Sequence, residues 1–83
     1  MEYCIMVKIF FDPNGRTMGQ FLNILRSVRG NVYIMKENGL RRVKNTLLGV
    51  YSLNIQKFDV LCVSTDSNET DLQNIKRQIQ MIS

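Results

Sequence analysis

Hydrophobic positions along the chain switch between a two-residue and a helical period. Tyr3 to Phe10 (YCIMVKIF) is a β-rich apolar run with partial alternation, which predicts a strand with one covered face. Asp12-Pro13-Asn14-Gly15 breaks it. From Arg16 onward, Met18, Phe21, Leu22, Leu25 and Val28 recur at helical spacing, and Gly30 is a good stop. Asn31 to Lys36 (NVYIMK) reads as a second strand. Glu37-Asn38-Gly39 reads as a hairpin turn, because Asn-Gly supplies the positive φ angles that tight turns require. A short return strand is expected over Leu40 to Val43. Asn45-Thr46 suits the start of a helix running to Leu53. Phe58 to Ser64 (FDVLCVS) reads as the last strand. Ser67 to Asp71 is a strong helix start, with Ser or Asn as cap and acids in the first turn. Leu72, Ile75, Ile79 and Ile82 then form one apolar stripe.

The order β-α-β-β-α-β-α predicts an α+β fold, a single domain over residues 1–83. It is an open-faced β-sandwich, a four-stranded antiparallel sheet with three helices on one face. There are no internal repeats, linkers or low-complexity tracts. The length is near the lower end for a self-sufficient core, and the 45% apolar fraction is ordinary. No apolar run approaches the roughly 20 residues a membrane helix needs. The start lacks a basic segment and Lys8 interrupts the first apolar run, so no signal peptide is read and a cytoplasmic location is the default expectation. Cys4 and Cys62 lie in strands among Val, Ile and Leu. They are expected to be buried small hydrophobes rather than a disulfide or a metal pair. Two thiols without any histidine make a poor zinc site, so neither metal nor cofactor is expected.

Two places suggest surfaces that do something. The helix after Thr46 carries Leu47, Leu48, Val50, Tyr51 and Leu53 within two turns, and so short a helix cannot bury apolar groups all round. Val50 and Leu53 are expected in the core. Leu47, Leu48 and Tyr51 are expected partly exposed, as a docking cluster. At the start of the first helix, Asn14 is a favourable N-cap. The backbone N–H groups there, with Gly15 and Arg16, also make a candidate anion site. Between residues 26 and 44, six basic residues (Arg26, Arg29, Lys36, Arg41, Arg42, Lys44) face one acid (Glu37). That is a formal +5, against +4 for the whole chain. A solvated face, an acidic protein partner and nucleic acid all fit such a balance.

The segment Asn45 to Ile55 resembles the second signature of the histidine-containing phosphocarrier (HPr) family of the sugar phosphotransferase system. That pattern reads Ser-hydrophobic-Met-Gly-Val-Met-Ser-Leu-Gly-Ile. Thr46, Gly49, Val50, Ser52, Leu53 and Ile55 fit it, and Asn54 stands where a small residue is usual. The family's first signature, Gly-Ile/Leu-His-Ala-Arg-Pro-Ala, is matched less well by Asp12 to Met18. Arg16 fits the arginine, Thr17 falls on the proline and Asn14 falls on the phosphorylated histidine. The chain contains no histidine at all. An asparagine amide is not a useful nucleophile toward a phosphoenzyme, so phosphoryl-carrier chemistry does not carry over.

The resemblance implies the open-faced fold and partner docking around the first and second helices. It also makes Thr46 the counterpart of a serine phosphorylated by a dedicated kinase. One subgroup of the family, the catabolite-repression proteins, also lacks the histidine and acts as a corepressor. The expectation is therefore a bacterial regulatory or protein-interaction module that is not an enzyme. Its partner would be an acidic protein: a phosphotransferase-system enzyme, a kinase or a transcription regulator. No membrane partner is expected. The alternatives are a degenerate phosphotransferase-system component without activity, and a basic nucleic-acid-binding module. The latter would use Arg41-Arg42-Val43-Lys44 with Tyr33, but no base-stacking signature accompanies them.

Overall fold

The computed structural model describes residues 2–82. The elements follow the expected order: β1 (Tyr3–Lys8), α1 (Gly15–Leu25), β2 (Val32–Lys36), β3 (Val43–Lys44), α2 (Leu47–Ser52), β4 (Val60–Thr65) and α3 (Glu69–Gln80). The four strands form one antiparallel sheet in the order β1-β4-β2-β3. The helices cover one face of it, α3 over β1 and β4, α1 against α3, and α2 against β3.

Side-chain alternation decides which face is covered. Val7, Ile9, Val32, Ile34, Leu61 and Val63 point to the helices and are essentially inaccessible. Phe21, Leu25, Val50, Leu72, Ile75 and Ile79 meet them from the helical layer. Ladder pairing continues past β1, where the Ile9 amide donates to the Asp59 carbonyl (2.8 Å) and the Phe58 amide donates to the Ile9 carbonyl (2.6 Å). Each long helix is capped by asparagine. Asn14 accepts from the Thr17 amide and Asn68 accepts from the Asp71 amide, which satisfies first-turn donors that have no partner within the helix.

Three expectations are corrected. The return strand is Val43–Lys44, not Leu40 to Val43. Gly39 has no positive φ, so Asn38-Gly39 does not form the tight hairpin. Its amide instead closes a turn onto the Lys36 carbonyl (2.9 Å). The Glu37 amide donates to Val60 (2.9 Å), so the end of β2 stays on β4 and the chain returns late, with Leu40 fully exposed. The second helix begins at Leu47 with Thr46 as N-cap. Asn45 lies before it, its side-chain amide donating to the Leu25 carbonyl at the end of α1 (2.9 Å).

The cysteines, too, differ from expectation and are not buried hydrophobes. Cys4 is exposed and Cys62 half-buried on the uncovered face, and the two form a disulfide between β1 and β4. Cys4 shares its strand phase with Lys8, and Lys8 must face water; the phase of Val7 and Ile9 is the buried one. The register sets Cys4 opposite Ser64 and Cys62 opposite Met6, which makes the cysteines diagonal neighbours with Cα atoms 6.5 Å apart. That separation lies within the range a disulfide spans.

Candidate docking site between the first and second helices

The start of α1 is built by a reciprocal cap. Asn14 Oδ1 accepts from the Thr17 amide (3.0 Å), and Thr17 Oγ1 accepts from the Asn14 amide (2.9 Å). The Thr17 hydroxyl donates to the Asp12 carbonyl (2.6 Å), and Thr17 is buried. A proline at position 17 could close neither hydrogen bond with Asn14. Asn14 thus acts as a helix cap. No acid lies in the first turn of α1, so the positive end of the helix dipole meets no carboxylate there. The nearest upstream acid, Asp12, stands 3.7 Å from Lys57. Of the anion-site candidates, Asn14 and Gly15 line the cleft described below. Arg16 is exposed but already engaged in an interaction of its own.

Across from Asn14 lies α2. Thr46 Oγ1 accepts from the Gly49 amide (3.1 Å), and the Ser52 hydroxyl donates to the Gly49 carbonyl (2.6 Å). Gly49 is required by close approach. A Cβ there would lie 2.6 Å from the Lys44 carbonyl oxygen and 2.9 Å from Thr46 Oγ1. The helix therefore sits directly on the end of β3, Val50 is fully buried and Leu53 nearly so. The opposite side stays in water: Leu47 is 55%, Leu48 84% and Tyr51 50% exposed. Asn54, where the family pattern has a small residue, adopts φ 51°, a left-handed conformation that asparagine tolerates better than most residues.

Pro13, Asn14, Gly15 and Met18 on one side, and Val50, Tyr51, Asn54, Ile55 and Gln56 on the other, enclose a cleft of about 320 Å³. Its far end is fixed by Lys36, which donates to the Asn54 carbonyl (2.9 Å) and pairs with Asp59 (3.1 Å). Partial burial raises the Asp59 pKa. The Gln56 amide (2.8 Å) and Lys36 outweigh it and hold the carboxyl below its ordinary 3.8.

Three cations of the basic segment are held by specific partners. Arg41 donates to the Ser52 carbonyl at the end of α2 (3.2 Å). Arg42 lies over the Tyr33 ring (4.1 Å) and pairs with Glu2 (2.8 Å). Lys36 is held beside the cleft. Arg41, Arg42 and Tyr33, grouped in sequence as a candidate nucleic-acid strand, are thus split between α2 and the open face. Sequence reading missed Thr17 as half of the cap, although threonine three residues after an N-cap asparagine is a usable signal. It also missed Phe58, exposed at φ 73° and edge-on to Phe10 (6.3 Å). No residue type announces that strained turn.

No protein-family model matches the sequence, and no curated protein matches it. Solved structures do. One is the phosphocarrier protein HPr from Bacillus anthracis str. Ames, similar at a TM-score of 0.78 with 16% identity over 93% of this chain and 95% of that one. The fold is that of the HPr phosphocarriers. A second similar structure is HPr-C-His from Thermoanaerobacter tengcongensis, at TM-score 0.74 and 18% identity over 96% of this chain and 91% of that one. The HPr-like fold thus extends over nearly the whole chain.

Proposed function

We propose that this HPr-like chain is a protein-interaction module of the phosphotransferase-system type. It docks an acidic partner through α2 and the start of α1, and it is neither a phosphoryl carrier nor an enzyme. One observation carries the reading. A six-residue helix seats Val50 in the core and presents Leu47, Leu48 and Tyr51 to solvent beside a cleft. An apolar cluster of that kind is the usual mark of a docking face. Asn14 and the lack of histidine leave no group of the kind that accepts phosphate in the family. Thr46 acts as the α2 cap, and its exposed position suits modification by a kinase as a secondary role. The expected setting is the bacterial cytoplasm.

The test uses phosphoenolpyruvate and the first enzyme of the phosphotransferase system. The protein is expected to gain no acid-labile adduct of about 80 Da by intact mass. Such an adduct would refute the non-carrier reading.

A further inference from the structure

We infer that Cys4 and Cys62 form a thiol–disulfide exchange site on the open face of the sheet, with small-molecule thiols and disulfides as its co-reactants. The bond lies outside the core. Cys4 is exposed and Cys62 half-buried, so an external thiolate reaches the pair without the protein opening.

The core does not depend on the bond. β1 and β4 are paired over six consecutive positions, Tyr3↔Thr65 to Lys8↔Val60. The pairs Ile5↔Val63 and Val7↔Leu61 face the helices, with Val7, Leu61 and Val63 inaccessible. Reduction therefore leaves the two strands in register. The Cα atoms stay 6.5 Å apart, so the thiols keep a high effective concentration for closing again. The chain has two cysteines only, so a mixed disulfide can resolve only onto its partner and cannot scramble within the chain.

The chemistry balances over two steps. A small-molecule thiolate attacks Cys4 Sγ, breaking the Cys4–Cys62 bond. This leaves a mixed disulfide on Cys4 and a thiolate on Cys62. A second thiolate attacks the external sulfur of the mixed disulfide, releasing the oxidised small molecule and the Cys4 thiolate. Two electrons pass to the protein, and each cysteine thiolate takes a proton from water. The reverse sequence starts from a small-molecule disulfide. The site thus lets one fold occupy an oxidised and a reduced state, which bears on the expected cytoplasmic location, where thiols are kept reduced.

The full chain is treated with millimolar reduced glutathione under native conditions, then alkylated and weighed. Two alkylated cysteines are expected, with a cooperative unfolding transition retained. Oxidised glutathione is expected to restore the unalkylatable form. In Cys62→Ser, Cys4 is expected to hold one glutathione as a persistent mixed disulfide. Three results would each overturn the proposal: thiols that appear only in denaturant concentrations that unfold the chain, reduction that abolishes the cooperative transition, or two free thiols that survive oxidised glutathione.

Discussion

Replacing Gly49 by alanine separates two opposing effects within one helix. Alanine favours a helix over glycine by about 1 kcal/mol, and Gly49 has no positive φ that the change would strain. Propensity alone would make the variant more stable. Space argues the other way, because the new Cβ would sit 2.6 Å from Lys44 O, 2.9 Å from Thr46 Oγ1 and 3.4 Å from Val43 Cβ. The carbonyl belongs to β3 and cannot rotate away, so α2 must lift off the sheet by roughly 0.5–1 Å to reach ordinary contact. Overpacking of that kind costs about 1–3 kcal/mol. Displacing Thr46 Oγ1 from the Gly49 amide adds up to about 1 kcal/mol of lost capping. The net expectation is destabilisation by about 1–3 kcal/mol. Gly19 in α1 is the internal control, since nothing beyond its own helix backbone lies within 4 Å of the Cβ position there. Gly19→Ala is expected to stabilise by about 0.4–1 kcal/mol. Urea unfolding of the two variants beside the parent measures both. A Gly49→Ala protein as stable as the parent, or one moving with Gly19→Ala, would refute the close-approach argument.

Two further outcomes follow from the same geometry. Leu48→Ala is expected to change stability by less than about 0.5 kcal/mol, because Leu48 is 84% exposed, whereas Leu53→Ala is expected to cost about 2–5 kcal/mol; equal large losses in the unfolding midpoints would mean the faces of α2 are misassigned. Asp59→Asn is expected to destabilise at neutral pH. The folded pKa lies below 3.8, so the carboxylate's contribution is present above that value and is lost as pH falls through the folded pKa. The gap between parent and variant unfolding midpoints is therefore expected to close in acid, and a gap independent of pH would remove the Lys36–Asp59 pair from the account.

The element order was legible because the long helices carry clear stripes and because Asp12 to Gly15 breaks the first apolar run. Lys8 carried the phase that places Cys4 outward. It was masked because seven of the eight residues from Tyr3 to Phe10 are apolar. Asn38-Gly39 misled because local turn chemistry lost to the pairing of Glu37 with β4. The apolar face of α2 was readable from helix length alone. The disulfide was not, since it depends on which strands become neighbours, a fact of topology that no local pattern holds. The role of Thr17 belongs between these cases, because its spacing from Asn14 fits a cap and only geometry shows both hydrogen bonds closed.

α2 and the start of α1 form the proposed docking face. Its most direct test is an amide chemical-shift titration of the labelled protein with an acidic phosphotransferase-system protein, the first enzyme of the system being the natural choice. Shifts are expected at Leu47, Leu48 and Tyr51 and along Asn14 to Met18, with affinity falling about 10–100-fold in Leu48→Ala. Shifts confined to the open face around Cys4, Met6 and Tyr33, with those helices silent, would contradict it.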